Sequence, residues 1–208
     1  MKKSFLFLAV LCLSSSACSD PEKEQLRKTT IPTYDKKTGK LTELTFDQNN
    51  NGKIDTWAQM DGARPVFTRM DRNEDGKLDR WEYYNAQGQL EKVGFSRKDD
   101  GKPDAWAFAG ADGRIERIEI SSKADVNKID RWEHYNATGL ARAEEDTNGD
   151  GTPDKWETYE GGAVKSVAFD ENGDGKADRR LTYQAGTLVM IETESAADGT
   201  FTKRVEVR

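Results

Sequence analysis

Apolar residues occur along this chain in short runs that alternate with polar residues and stop at turn-forming residues. In RWEYYNAQGQLEKVGF, residues 80–95, runs with aromatic and β-branched side chains flank the turn formers Asn85 to Gly88. This arrangement predicts a β-hairpin, because a helix of that length would not be interrupted at its middle. Turn residues recur at the same place in the sister segments: Asp61-Gly62, Asp112-Gly113, Asn136 to Gly139, Gly161-Gly162 and Gly186.

The hairpins belong to a tandem repeat. Each of the five tryptophans is the eleventh residue of a recurring acidic loop: Trp57, Trp81, Trp106, Trp132 and Trp156, at spacings of 24, 25, 26 and 24 residues. We therefore predict an all-β fold of tandem loop-hairpin repeats, each about 24 residues long, that form an extended antiparallel meander sheet of roughly a dozen strands. The loops start at Asp47, Asp71, Ser96, Ser122, Asp146 and Asp170, with a decayed copy near Glu194.

The opening residues predict export and a lipid anchor. Lys2 and Lys3 precede an apolar run that is too short to span a bilayer, which indicates a secretory signal peptide over residues 1–17. Its Ser-Ser-Ala-Cys ending resembles the lipobox of bacterial lipoproteins, which implies that Cys18 is lipidated. Ser19 after it implies the outer membrane by the enteric sorting rule. The alternative is ordinary secretion, with Cys18 as a spare thiol.

Polar residues 18–32 predict a flexible tether, and the half-unit at residues 34–46 places the start of the repeat domain, 33–208, at Thr33. Removal of residues 1–17 takes away two basic and no acidic residues, so the formal net charge of −6 becomes −8. It also leaves no second cysteine for a disulfide. An acidic chain with only 35% hydrophobic residues needs further stabilisation, which divalent cations would supply. The same charge argues against nucleic acid as a partner.

Two loops, DRNEDGKLDRWE at 71–82 and DTNGDGTPDKWE at 146–157, match D-x-[DN]-x-[DN]-G-x5-E at every fixed position. They resemble the calcium loop of the EF-hand. The resemblance implies Ca²⁺ held by side chains one, three, five and nine, carbonyl seven and glutamate twelve. The implied ligands are Asp71, Asn73, Asp75, Lys77, Asp79 and Glu82, and Asp146, Asn148, Asp150, Thr152, Asp154 and Glu157.

The other loops depart from this pattern. Two of them have Ala58 and Leu181 at position twelve, so we expect weaker calcium binding there. Lys98 at position three of the loop from Ser96, and Ala124 and Val126 in the loop from Ser122, predict that these two loops hold no cation. The weaker ligand sets are Asp47, Asn49, Asn51 and Asp55, and Asp170, Asn172, Asp174 and Asp178.

Position nine is aspartate in all six loops, including those without a ligand set, so we predict that it accepts hydrogen bonds from backbone amides of the turn. Position twelve raises a geometric question. The chain should leave the loop as a strand, so Glu82 and Glu157 can face away from the cation. Solvated acidic turns without metal are the alternative for every loop.

The tryptophan row has two interpretations. Buried, the side chains form the core of a thin repeat protein, which we favour because aliphatic residues are few. Exposed, they form an aromatic ladder for sugars or peptides. His134 takes the place of Tyr83 and Thr158 in sister repeats, which predicts a sheet position and not a catalytic base. The sequence contains no nucleophile motif, phosphate loop or Cys/His cluster, so we expect no enzyme activity.

The hairpin pattern is similar to bacterial MORN-type repeats, and the loops are also similar to thrombospondin type 3 repeats. The hairpin resemblance implies hairpins stacked into an extended sheet. We therefore expect a calcium-binding, lipid-anchored envelope protein that acts as a structural or interaction module, with a protein or polysaccharide as partner. A carbohydrate- or peptide-binding aromatic face and a metal-free spacer are the alternatives. The residues that carry the MORN-type pattern are Gly76, Lys77, Trp81, Tyr84, Gly88 and Leu90.

Overall fold

The structure is a computed structural model that describes residues 29–122, 128–196 and 198–207. The predicted signal peptide, the lipidation site Cys18 and the tether up to residue 28 lie outside the described residues. In the part that is described, no helix is long and apolar enough to cross a membrane.

Fifteen antiparallel strands in the described residues form one open sheet, in which the order of strands across the sheet equals their order in the chain. This confirms the predicted all-β meander. The strands are β1 (Thr30–Tyr34), β2 (Leu41–Phe46), β3 (Thr56–Asp61), β4 (Arg64–Met70), β5 (Arg80–Tyr84), β6 (Leu90–Phe95), β7 (Ala105–Ala109), β8 (Ile115–Ile120), β9 (Arg131–Asn136), β10 (Gly139–Glu145), β11 (Lys155–Glu160), β12 (Ala163–Phe169), β13 (Arg179–Gln184), β14 (Thr187–Ser195) and β15 (Phe201–Glu206).

The two ends of the sheet differ from the prediction. β1 begins at Thr30, before the predicted domain start at Thr33, because this residue already pairs with Phe46 of β2. At the other end, the decayed loop expected near Glu194 is a tight turn, in which the Ala196 amide donates to the Thr200 carbonyl at 2.7 Å. The strands at the two ends, β1 and β15, raise the strand count above the predicted dozen.

The hairpin turns lie at one end of the strands, and the acidic loops lie at the opposite end. Within each hairpin the second strand carries one extra residue near the turn. In β6 this residue is Glu91, since Lys92 pairs with Tyr83 and Leu90 pairs with Tyr84. A bulge of this kind strengthens the right-handed twist of the sheet. Its recurrence in every unit shows that the repeat extends to the strand register.

The backbone ladder continues into the first and ninth positions of the loops. The Asp71 amide donates to the Asp55 carbonyl at 2.9 Å, and the Asp146 amide donates to Asp130 at 2.9 Å. In the fourth loop the residue that makes this bond is Ser121, which donates to Asp104 at 2.8 Å. That loop therefore starts at Ser121 and not at the predicted Ser122, and it is one residue longer than the others.

Strand alternation gives the sheet two unlike faces. The alanine face buries small side chains in line across the strands, among them Ala58, Ala107 and Ala143. The tryptophan face carries all five indoles. Only Trp81 is buried, at 7% exposure, and the other four are half-buried. The predicted tryptophan core therefore holds for Trp81 alone, because no second layer of described elements packs on this face.

Candidate functional site

A hydrogen bond between the first and sixth positions closes each of the four acidic loops that begin with aspartate. The Gly76 amide donates to Asp71 Oδ2 at 2.9 Å, and the Gly151 amide donates to Asp146 Oδ2 at 2.8 Å. Glycine is required at this bend because the backbone takes a positive φ, 88° at Gly76. The carboxylate of the first residue therefore points into the loop. The same bond joins Gly52 to Asp47 and Gly175 to Asp170.

The third and fifth side chains form two consecutive turns of the same kind. Asn73 Oδ1 accepts the Asp75 amide at 3.2 Å, and Asp75 Oδ1 accepts the Lys77 amide at 2.9 Å. Such contacts are typical of aspartate and asparagine in turns. The hydrogen bond from the Lys77 amide holds the pKa of the Asp75 carboxyl below its ordinary value. Asp75 is thus ionised at neutral pH, with Oδ2 lying 3.3 Å from the Lys77 ammonium.

The aspartate predicted at position nine accepts a backbone amide in all six loops, including Asp130, which is the tenth residue of the loop from Ser121. Asp79 Oδ2 accepts the Arg72 amide at 2.6 Å. In the loop from Ser96, for which we expect no cation, Asp104 Oδ1 accepts the Arg97 amide at 2.8 Å and the side chain is only 1% exposed. This aspartate holds the turn in shape whether or not a loop has the other ligands.

The first aspartates differ in how their second oxygen is satisfied. Asp71 Oδ1 is buried and has no hydrogen-bond partner among the described residues, while the residue as a whole is 8% exposed. In the loop from Asp146, the Gly149 amide donates to Asp146 Oδ1 at 2.6 Å. The two weaker loops resemble the Asp146 loop, since Asp47 Oδ1 and Asp170 Oδ1 also accept backbone amides. Asp71 is therefore the first-position aspartate with an unused buried oxygen.

Glu82 and Glu157, the twelfth residues, lie in strands on the alanine face. Glu82 Oε1 accepts from Arg80 Nε at 2.7 Å, and Glu82 Oε2 accepts from the Tyr84 hydroxyl at 2.6 Å. Both oxygens of Glu82 therefore have protein partners. An EF-hand glutamate returns to the cation on a helix, whereas this one follows a strand.

Glu157 is held still more firmly. Its carboxylate lies 2.9 Å from Arg131 Nη2 and 2.8 Å from Lys155 Nζ, and it accepts from the Tyr159 hydroxyl at 2.6 Å. Burial alone raises the pKa of Glu157, but the hydrogen bonds from Lys155, Tyr159 and Arg131 outweigh burial and lower the pKa to about 2. Neither twelfth glutamate has an oxygen without a protein partner.

Neighbouring loops contact each other through the fourth position. The carboxylate of Glu74 accepts from Asn49 Nδ2 at 2.6 Å and lies 3.4 Å from Lys53 Nζ of the preceding loop. In the loop from Asp146 the fourth residue is Gly149, whose carbonyl accepts from the ammonium of Lys128. The same ammonium lies 3.8 Å from Asp146 Oδ2. A cation supplied by the protein therefore already sits beside this first-position carboxylate.

Comparison of the loops within the sequence assigned no role to the fourth position, although this residue makes the contacts between neighbouring loops. Its backbone is left-handed, with φ of 59° at Glu74, 62° at Asn50 and 85° at Gly149. Positive φ is uncommon outside glycine, asparagine and aspartate, so the asparagine and glycines at this position were the available signal.

No cluster of three or more His, Cys, Asp or Glu side chains placed to hold a metal ion forms within residues 29–122, 128–196 and 198–207.

His134 lies on the tryptophan face of β9, opposite Arg117 and Arg142 of the neighbouring strands. Partial burial, together with Arg142, lowers its pKa below the ordinary value, so the ring is neutral at pH 7. Its Nε2 is 4.0 Å from Glu144. This is a sheet position, as the repeat comparison predicts.

No protein family and no curated protein matches the chain. Among solved structures, it is similar to accessory secretory protein 1, 2 and 3 of Streptococcus pneumoniae, with 13% identity over 62% of this chain and 22% of that chain and a TM-score of 0.38. TarM of S. aureus is similar at 16% identity over 52% of this chain and 22% of that one, with a TM-score of 0.36. TcdB2-TccC3-TEV is similar at 10% identity over 85% of this chain and 15% of that one, with a TM-score of 0.20. This chain thus spans about a fifth of the length of the first two, and similarity at this level carries no functional information.

Proposed function

We propose that this chain is a non-catalytic calcium-binding module of the bacterial envelope, and that loop 71–82 is its principal calcium site. The observation that carries the proposal is the buried, unpartnered Oδ1 of Asp71. A buried carboxylate oxygen without a donor is costly, and a hard divalent cation is the partner that fits it. The first-position carboxylate already points into the loop through its bond to Gly76.

The proposed site has fewer protein ligands than an EF-hand. Glu82 is engaged by Arg80 and Tyr84, so we propose a site without its bidentate contact and with water completing the shell. Dissociation constants of about 10⁻⁴–10⁻³ M, typical of extracellular calcium modules, fit such a shell. The remaining ligands are Asp71, Asn73, Asp75, the carbonyl of Lys77, and Asp79.

The proposed role of calcium is to stabilise the acidic loops at one end of the strands, in a sheet that has little core. A ligand that binds only the folded chain stabilises it by mass action, and more strongly where calcium is abundant outside the cell. The loops from Asp146, Asp47 and Asp170 are weaker sites in this proposal, because backbone amides already bond both oxygens of their first-position carboxylates. The proposed envelope location and lipid anchor rest on the opening sequence and Cys18.

Calorimetric titration of the full-length protein with calcium tests the proposal, together with thermal unfolding in millimolar calcium and in chelator. We expect one dominant site and a higher Tm in calcium. In Asp71→Asn the dominant site should be lost, together with most of the rise in Tm, and only the weaker loops should still bind. The control Asp112→Asn also removes one negative charge, but in the hairpin turn between β7 and β8, where the Asp112 carboxylate accepts the Arg114 amide. Coincident melts with and without calcium, or a dominant site that survives Asp71→Asn, would overturn the assignment.

A further inference from the structure

The tryptophan face contains a groove of about 420 Å³ whose lining includes Lys92, Lys102, Trp106, Phe108 and Glu119. We call it the Trp106 groove. It shares no residue with the ligand set of the proposed calcium site, so an inference about it stands apart from calcium binding. The groove is open along the sheet, because no second layer of described elements covers this face.

Gly94 on β6 gives the groove its shape. It pairs directly with Trp81 on one side and Trp106 on the other. A Cβ atom at this position would lie 2.7 Å from Cζ3 of Trp106, which is closer than real contacts allow. The missing side chain therefore lets the indole of Trp106 lie against the β6 backbone, where it stays half-buried.

Lys92 is held among aromatic rings and not by a carboxylate. Its ammonium lies 4.5 Å from the ring centroid of Trp106, 4.8 Å from that of Tyr83 and 6.0 Å from that of Phe108. Among the described residues, no carboxylate or other hydrogen-bond acceptor contacts it. Cation-π attraction fixes the position of the charge but leaves the three N–H donors unused.

The rest of the groove also offers donors without acceptors. Lys102 has no carboxylate partner among the described residues, and the one acidic lining residue, Glu119, is paired with Arg117 at 3.1 Å. Arg117 stacks 4.3 Å above the Phe108 ring, and its Nε is buried without an acceptor. Elsewhere in this acidic chain, strand lysines such as Lys155 and Lys165 are paired with glutamates. The groove therefore combines aromatic faces with uncompensated positive charge.

We propose that the Trp106 groove binds an acidic sugar unit of a polysaccharide, with the sugar ring on the aromatic faces and its anionic group at Lys92 and Lys102. An anionic group can accept hydrogen bonds from the unused ammonium donors. A sugar ring with an apolar C–H face can pack on Trp106 and Phe108. A polymer fits the open groove, because Trp132 lies on the same face two strands further on, roughly 9.5 Å away by the spacing of strands. That separation is close to the length of a disaccharide in an extended glycan chain.

The test is a tryptophan-fluorescence and calorimetric titration of the full-length protein, in chelator, with hexagalacturonate. The fully methyl-esterified hexamer is the neutral control, and a polyglutamate peptide of similar length tests for a general polyanion surface. We expect saturable binding of the acidic hexamer, and binding at least about tenfold weaker for the ester and for Lys92→Gln. Lys36→Gln, which removes an exposed charge in the β1–β2 turn, should change nothing.

Gly94→Ala gives a second test that keeps both lysines. The new Cβ must displace the indole of Trp106, so affinity for the acidic hexamer should fall while a single cooperative unfolding transition remains. Equal binding of ester and acid, equal binding of polyglutamate, or no binding of the acidic hexamer would overturn the proposal. So would an equal loss of affinity in Lys36→Gln.

Discussion

The loops 71–82 and 146–157 match the same six-position pattern, yet they use the first aspartate in opposite ways. Asp146 is 0% exposed, and its two oxygens accept the amides of Gly149 and Gly151 at 2.6 and 2.8 Å. Among the described residues, Asp71 accepts only the Gly76 amide and keeps a buried oxygen without a partner. In loop 146–157 backbone amides satisfy both oxygens of the first aspartate. In loop 71–82 one oxygen of the first aspartate has neither a donor nor a cation beside it among the described residues.

The residue that separates them is the fourth, which the pattern leaves unspecified. With glycine there, as at Gly149 and Gly173, the amide reaches the first carboxylate. With Glu74 it does not, and the glutamate side chain turns to the preceding loop. A ligand motif describes the oxygens offered to a cation. It does not describe the backbone donors that compete for those oxygens.

The largest effect that separates the loops is expected from alanine at the first position, measured by urea unfolding in chelator. Asp146→Ala removes two hydrogen bonds from backbone amides to a carboxylate and should cost about 2–4 kcal/mol. Asp71→Ala removes one bond together with an unpaired carboxylate oxygen, so it should cost about 1 kcal/mol or less. In millimolar calcium the cost of Asp71→Ala should rise. Equal costs for both variants in both buffers would remove the distinction between the loops.

The twelfth residue of the second loop predicts a pH dependence. The pKa of Glu157 is lowered to about 2, so its contribution to folding is complete above the ordinary glutamate value and is lost as the pH falls towards 2. Compared with Glu157→Gln, the wild-type chain should be more stable by roughly 1–2 kcal/mol at pH 7, after allowance for solvent screening. Denaturant melts between pH 7 and pH 2 should show the difference shrink. A difference that stays constant would mean that the ion pairs with Arg131 and Lys155 do not stabilise the fold.

Sequence periodicity predicted the features that repeat within one unit, such as the hairpins, the bend at Gly76 and the amide bonds to Asp79. It could not predict those that depend on neighbouring units. Thr30 completes a strand pair without resembling a repeat, and the loop at Ser121 is identified by its ladder bond to Asp104 and not by its motif. Lys128 reaches Asp146 because the sheet stacks successive loops side by side, an arrangement that spacing within a loop does not contain.

A change at the fourth position should alter the calcium affinity of loop 71–82 without touching a ligand. Glu74→Gly should let the position-74 amide bond Asp71 Oδ1 as Gly149 bonds Asp146, and so weaken calcium binding about tenfold. Glu74→Gln is the control, because it removes the negative charge and keeps a side chain of the same length at this backbone position. Calcium titration should show the loss in the glycine variant only. An equal loss in both variants would assign the effect to the Glu74 carboxylate instead.

The smallest expected effect concerns the ammonium beside Asp146. Lys128 Nζ lies 3.8 Å from Asp146 Oδ2, so it competes with calcium for the same carboxylate. In an Asp71→Asn background, where the remaining loops carry the signal, Lys128→Met should tighten calcium binding by about 0.5–1 kcal/mol. Lys165→Met, which removes an exposed lysine paired with Glu160 on β12, should have no effect. Weaker binding in Lys128→Met would mean that the lysine shapes the loop through its bond to the Gly149 carbonyl. The lower calcium affinity of loop 146–157 would then come from the amides bonded to Asp146 and not from competition by the ammonium.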